Sequence, residues 1–258
     1  MFDNQKRSQE RCQRKIFKKK NKKPYETIQR VLVCGPQADV KKYCFKEWAE
    51  NVKKLTYPVF DVFLADNSLD KEFSEEIKKE GFWCVNVTND KNKHSVLKRL
   101  AQSHELCRKV AVKYKYDYIL HLETDVFPPV DVIERLMFQN KEIVAGYYDL
   151  GEGSMRIPML NTLSSEKHPF RTATYGRFNR HLIDGKTHKI LSAGLGCVLI
   201  KREVFVRFPF RYIEGQSWFP DVVWINDLYA KNIPYYVDTS IVCTHKNSDW
   251  GEYGKDYK

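Results

Sequence analysis

Two carboxylates one residue apart, Glu123 and Asp125, end the run Tyr116-Asp117-Tyr118-Ile119-Leu120-His121-Leu122-Glu123-Thr124-Asp125-Val126-Phe127-Pro128-Pro129. Hard oxygen ligands side by side suit a divalent cation that also holds a diphosphate. Tyr118, Ile119, Leu120 and Leu122 form a nearly continuous apolar run, as expected of a strand covered on both faces of an open α/β sheet. Ligands in such sheets bind at the carboxyl ends of strands. If the period of two persists, Glu123 and Asp125 point the same way. Pro128 and Pro129 stop the strand and fit the first turn of a helix through Val132, Ile133, Leu136 and Met137. The bland alternative is an exposed acidic turn.

The elements that must position this pair alternate between strand and helix from Pro24 onward, which predicts a βαβ architecture with a mixed, mainly parallel sheet. Arg30–Cys34 is a first strand broken by Gly35-Pro36, and a helix follows through Tyr43, Trp48, Val52 and Leu55. Phe60–Ala65 is a second strand ending in Asp66-Asn67-Ser68, and Phe82–Val87 a third. Val96, Leu97, Leu100, Ala101, Cys107, Val110 and Ala111 recur at helical spacing. Ile143–Tyr147 is another apolar strand. Residues 149–189 are polar, basic and weakly periodic, the mark of a functional loop or lid. Order returns at Ile190–Ile200, then in a helix opened by Asp221, the strand Tyr235–Asp238 and the segment Ile241–His245.

The chain has 258 residues, 42% hydrophobic and 14% aromatic, enough to bury a sizeable core. That composition excludes a purely disordered protein. Its net charge of +11 is concentrated at one end, since residues 1–30 hold 11 Lys or Arg against 3 acids. We therefore divide the chain into a basic, flexible tail over 1–27 and one α/β domain over 28–258. Such a tail suits a solvated segment or peripheral contact with an anionic membrane face, and no motif for sequence-specific nucleic-acid binding accompanies it. No apolar stretch approaches the roughly 20 residues that span a bilayer, and no signal core follows the N-terminal charges, so a soluble, cytoplasmic protein is expected. The seven cysteines are scattered without a C-x-x-C pair, which points to reduced thiols.

This order of elements resembles the GT-A glycosyltransferases, and within them the family 2 nucleotide-sugar transferases. The likeness covers about Arg30 to Lys246. Its carriers are the first strand ending near Pro36, Asp66-Asn67-Ser68, Glu123-Thr124-Asp125 as a form of the D-x-D motif, Ala193-Gly194-Leu195-Gly196-Cys197, Asp221 and the late His245. The resemblance implies a GT-A fold, a single Rossmann-like domain, and a transferase using a nucleoside-diphosphate sugar.

It also implies roles. Asp125 would ligate the metal directly, with Glu123 binding through water or touching the ribose, and His245 would be a third ligand. An imidazole among oxygens shifts the preference from magnesium toward manganese. Asp66 would accept the imino N–H of uracil or guanine, unless it is only a turn-capping acid. The family has an Arg-Asn pair that touches base or diphosphate; His104-Glu105 occupies the matching position here, and Arg99 and Arg108, one helical turn away on either side, would be the diphosphate contacts. Asp221 would be the general base, or else the helix N-cap. Gly194 and Gly196 would let the backbone approach the sugar, or simply bend the chain. The basic loop with Arg156, His168, Arg171, Tyr175, Arg177 and Arg180 would close over the diphosphate or acceptor, and Trp218 and Trp250 could stack on the acceptor.

The expected activity is metal-dependent transfer of a hexose to a hydroxyl acceptor, on a glycan, a lipid carrier or another molecule, with inversion by analogy. The rivals are a non-catalytic carbohydrate- or polyanion-binding protein on the same fold and a sugar nucleotidyltransferase. The latter is disfavoured because Gly35-Pro36-Gln37-Ala38-Asp39 is no phosphate-cradling loop.

Overall fold

The computed structural model describes residues 28–151, 156–163, 175–177 and 179–246. At its centre is a mixed, mostly parallel sheet. Its strands are β1 (Val31–Gln37), β2 (Phe60–Asp66), β3 (Trp83–Asn86), β4 (Tyr118–Leu122), β6 (Ile143–Tyr147), β11 (Thr187–Ile190), β13 (Cys197–Lys201) and β14 (Tyr235–Val242). They lie in the order β11-β14-β6-β13-β4-β1-β2-β3, with β13 antiparallel to both neighbours and β11 antiparallel to β14. The chain runs outward from β1 through β2 to β3, then returns to place β4 on the other side of β1. That reversal opens a crevice at the carboxyl ends of β1, β2 and β4, the usual ligand position in such sheets.

Helices cover both faces. On one face lie α1 (Lys42–Lys53), α2 (Glu72–Lys79) and α4 (Val132–Phe138). On the other lie α3 (Val96–Lys113), α5 (Arg202–Arg207) and α6 (Pro220–Ala230). In α1 the buried side chains Cys44, Phe45, Trp48, Ala49 and Val52 fall on one stripe. Val31 and Val33 of β1 meet that layer, while Leu32 and Cys34 meet the opposite one. Ser95 caps α3 by accepting from Lys98 N at 3.3 Å. Asn140 and Asn232, at φ +47° and +55°, follow α4 and α6 in the left-handed conformation that ends helices.

Three expectations about the elements change. The first strand does not break at Gly35-Pro36: β1 continues to Gln37, with Pro36 beside Ala65 of β2. A Cβ on Gly35 would lie 2.5 Å from Leu122 O, so glycine here permits the close approach of β1 to β4. The segment Ile190–Ile200 is three strands, β11, β12 (Ser192–Ala193) and β13, interrupted at Gly194–Gly196. Pro128 and Pro129 precede α4 instead of forming its first turn, and β5 (Val126–Phe127) lies between them and the acidic pair. The weakly periodic region contains β7 (Asp149–Leu150), β8 (Ile157–Pro158), β9 (Leu160–Leu163) and β10 (Tyr175–Arg177). Of these, β9 joins β10 and β12 in a small sheet. The six described cysteines are buried and form no disulfide. No described helix is long and apolar enough to cross a membrane.

Candidate active site

The chain turns as it leaves β4. Glu123 N donates to Gly196 O at 3.0 Å and Val126 N to Glu123 O at 3.1 Å. Thr124 points inward, its hydroxyl donating to Gln37 Oε1 at 2.6 Å. Glu123 and Asp125 therefore do not continue the strand's alternation, yet both reach one atom. Lys41 Nζ, from the turn between β1 and α1, lies 2.7 Å from Glu123 Oε2 and 2.9 Å from Asp125 Oδ1.

Burial alone would lower the Lys41 pKa, but the two carboxylates outweigh it and hold the ammonium well above its ordinary value. Burial alone would raise Asp125, whose side chain is 1% exposed, but Lys41 and His245 hold it well below the usual carboxylate range. Asp125 is thus held ionised by an internal counter-ion that Glu123 also contacts, and the exposed-acidic-turn alternative does not hold.

β15 (Thr244–His245) pairs antiparallel with β5, and Lys246 N donates to Asp125 O at 2.9 Å. This brings His245 Nε2 to 3.5 Å from Asp125 Oδ2, too long for a good hydrogen bond. Asp125 Oδ2 and His245 Nδ1 are buried without a hydrogen-bond partner. The two could form one edge of a cation site, but the three-ligand centre expected from the sequence is not assembled. Glu123 is turned onto Lys41, and among the described residues no three His, Cys, Asp or Glu side chains are placed to hold a metal. The residues do not fit that centre, and no step below runs through a metal.

Beside the pair opens a cleft of about 230 Å³ at the ends of β1, β2 and β4. Pro36, Val40, Val96 and Leu100 make it apolar at one part, while Lys41, Glu123 and Asp221 supply charge. Val96, Leu100 and His104 line it from successive turns of one face of α3. Asp221, in the first turn of α6, also lines a separate cavity of about 130 Å³ with Met159, Asn161, Ser192 and Ala193.

Asp221 is not the N-cap. Phe219 holds that position, Pro220 is the first helical residue, and Asp221 Oδ1 accepts from Val222 N at 2.8 Å. Burial pushes its carboxyl up to about 6, with Glu123 adding to the rise and the Val222 N–H opposing it. A larger cavity, about 310 Å³, lies between the C-terminal part of α6 and β11, but no acid or histidine lines it.

Several other candidates are occupied elsewhere. Asp66 is fully buried, and its oxygens accept from Ser68 N at 3.0 Å, Ser68 Oγ at 2.5 Å and Asn86 Nδ2 at 2.8 Å. It braces the β2 turn and is absent from the cleft wall, where its neighbour Asn67 stands. Arg99 Nε donates to Asn67 O at 3.0 Å and its Nη1 to Lys93 O, so it ties the α3 entrance to the β2 turn. Arg108 pairs with Glu105 at 2.7 Å and donates to Phe205 O, joining α3 to α5. Neither arginine lines the cleft. Gly194 and Gly196 leave room for Tyr148: a Cβ on Gly196 would sit 2.5 Å from the Tyr148 hydroxyl, which donates no space to a sugar.

Arg180 is engaged with Asp149 and with Arg156 O at 3.0 Å. His168, Arg171 and Trp250, and the side chains of Tyr175 and Arg177, lie outside the described residues. Lys41, Gln37 and Tyr148 escaped the sequence reading. A lysine in a basic chain and a tyrosine after a strand carry no signal until β1 and β4 lie side by side.

No protein-family model matches the chain, and no curated protein matches it in sequence. Solved structures do. TarS from S. aureus superposes with a TM-score of 0.51 at 11% identity, covering 89% of this chain and 39% of TarS. The 1–349 portion of TarS gives 0.50 at 12% identity, covering 89% of this chain and 64% of that one. A197 from STIV is 17% identical over 86% of this chain and 87% of its own, with a TM-score of 0.44. The chain spans well under half of the full TarS structure.

Proposed function

We propose that the chain, whose fold is the GT-A fold found in glycosyltransferases, transfers a sugar from a nucleoside diphosphate to a hydroxyl acceptor. The observation that carries this reading is the position of Asp221, one carboxylate facing two cavities. The cleft at the strand ends would take the donor. The smaller cavity, with the polar side chains Asn161 and Ser192, would take the acceptor. In this arrangement Asp221 accepts the proton of the acceptor hydroxyl while the hydroxyl oxygen forms a bond to the anomeric carbon. The bond from that carbon to the diphosphate oxygen breaks, and the diphosphate leaves with the electron pair. Such a single displacement inverts the anomeric centre. A carboxyl pushed up to about 6 is a better proton acceptor than an ordinary aspartate and is still ionised at neutral pH. Lys41 also lines the cleft wall, but Glu123 and Asp125 balance its charge, so it adds no surplus positive charge for the leaving group.

Calorimetric titration with UDP and GDP, with and without manganese, tests the donor site in the wild type and in Asp125→Ala. Binding of one nucleotide supports the reading, and its dependence on manganese decides whether Asp125 and His245 recruit a cation once a diphosphate shares it. Absence of binding to either nucleotide by the folded protein would overturn the proposal.

A further inference from the structure

His104 lines the cleft from the third turn of α3, and its protonation pattern follows from its neighbours. His104 Nδ1 lies 2.9 Å from His121 Nε2, and His121 Nδ1 lies 2.6 Å from Leu195 O. A carbonyl oxygen only accepts, so His121 Nδ1 carries a proton and donates it. Two ring nitrogens 2.9 Å apart share a single proton between them. Both rings are buried, 3% and 1% exposed, with no carboxylate bonded to either, so a cationic ring here would be strongly disfavoured. Burial pushes His104 well below the usual histidine range, with His121 adding to the fall. Each ring therefore holds one proton. That of His121 sits on Nδ1, so the shared one belongs to His104 Nδ1. His104 Nε2 is left with a bare lone pair. This nitrogen bonds no described residue, and the side chain that carries it lines the cleft.

The ring cannot readily turn to offer anything else. Its Nδ1 edge is tied to His121 and its face stacks on Phe210 at 5.0 Å, and Phe210 N is held at 3.0 Å by Glu105, the residue next to His104 in α3. A neutral acceptor of this kind repels phosphate oxygens and requires an N–H or O–H. On a nucleoside diphosphate those groups are on the base and the ribose, and the apolar wall of Val96 and Leu100 on the same helix face suits that half of the molecule. Asp66, the acceptor expected from the sequence, is saturated by Ser68 and Asn86.

We propose that His104 Nε2 is a fixed hydrogen-bond acceptor that selects the donor nucleoside by taking an N–H of its base or an O–H of its ribose. This inference rests on the nucleotide-sugar reading above. It is tested first by nitrogen NMR of the wild-type imidazoles between pH 5.5 and 8. Protonated Nδ1 and bare Nε2 on His104 are expected throughout, with the Nε2 resonance shifting when UDP or GDP is added. A proton on Nε2, or no shift with a nucleotide that calorimetry shows to bind, overturns it.

The second test is His104→Asn, whose amide can still donate toward His121 while the cleft-facing acceptor is gone. Its affinity for the preferred nucleotide should fall about 10- to 100-fold. Should that nucleotide be UDP, its N3-methyl and 2′-deoxy analogues separate the two sources, because the modification that removes the contacted donor should bind wild type and variant alike. Unchanged affinity in a folded His104→Asn protein overturns the role of His104 and leaves the nucleotide reading standing. Failure of the wild type to bind either nucleotide overturns both. If the variant does not fold, the wild-type Nε2 shift decides.

Discussion

Asp221 is kept in a state that the fold disfavours, and this gives it a signature independent of any substrate. A carboxyl raised from about 4 to about 6 favours folding most when protonated, so its contribution is fully present below pH 4 and is lost as pH rises through about 6. Asp221→Asn removes that loss. The variant should match the wild type in urea melts at pH 4 and exceed it above pH 7, by about 1–3 kcal/mol. Equal pH dependence in the two proteins would argue against a desolvated carboxylate. The same variant should lower transfer about 10²- to 10⁴-fold, the usual range for a lost general base.

Lys41 has the opposite character. Removing one partner from a nearly buried ion pair leaves like charges facing each other, so Lys41→Ala should cost about 3 kcal/mol in equilibrium unfolding. It should also raise the affinity of the carboxylate pair for manganese, read by electron paramagnetic resonance, because the internal cation no longer competes. An unchanged manganese affinity would mean that Lys41 does not guard the pair.

The elements were more legible than the contacts between them. Alternating apolar runs marked the strands and helices because burial on two faces leaves a continuous pattern in β4 and a striped one in α1. Glu123 and Asp125 could be picked out because two carboxylates one residue apart follow an apolar strand, whereas Asp221 stood out only through the family pattern, since acids at helix starts are common. What periodicity could not convey was pairing across long separations. The short β5–β15 ladder and the Lys246 N bond to Asp125 O join residues far apart in sequence, and together they bring His245 to Asp125. The same gap explains why Asp66, Arg99, Arg108, Gly194 and Gly196 suggested ligand contacts while serving the scaffold: a charged side chain next to a cleft looks the same in sequence whether it faces inward or braces a turn.

Gly35 shows how tightly the scaffold sets the site. Its missing Cβ lets β1 approach Leu122 O, the residue before Glu123, and that approach holds Gln37 against Thr124 and Lys41 against the acidic pair. The obstructing atom is backbone and cannot rotate away. Gly35→Ala should therefore destabilise by about 1–3 kcal/mol and weaken nucleotide binding without touching ligand. A melting temperature within a degree of the wild type would show that the strands can separate at no cost.

Charge is distributed unevenly over the whole molecule, and the imbalance bears on which part of it an anionic surface would attract. The first 30 residues carry a surplus of 8 of the net +11, so the remaining 228 residues, including the domain with the cleft, are nearly neutral. Long-range attraction to an anionic surface is then expected from the N-terminal segment and not from the near-neutral remainder. Near an acidic lipid surface each basic residue contributes about 1 kcal/mol, within a Debye length of about 8 Å at physiological salt. Replacing Lys18, Lys19, Lys20, Lys22 and Lys23 with glutamine should abolish cosedimentation with vesicles rich in phosphatidylserine. Nucleotide affinity in solution should be unaffected, because Lys41, Glu123 and Asp221 of the cleft wall are unchanged. Wild-type cosedimentation should itself fall steeply between 50 and about 300 mM salt. Vesicle binding that persists in the glutamine variant would move the attraction onto the domain and make the acceptor side of Asp221 the next place to look for it.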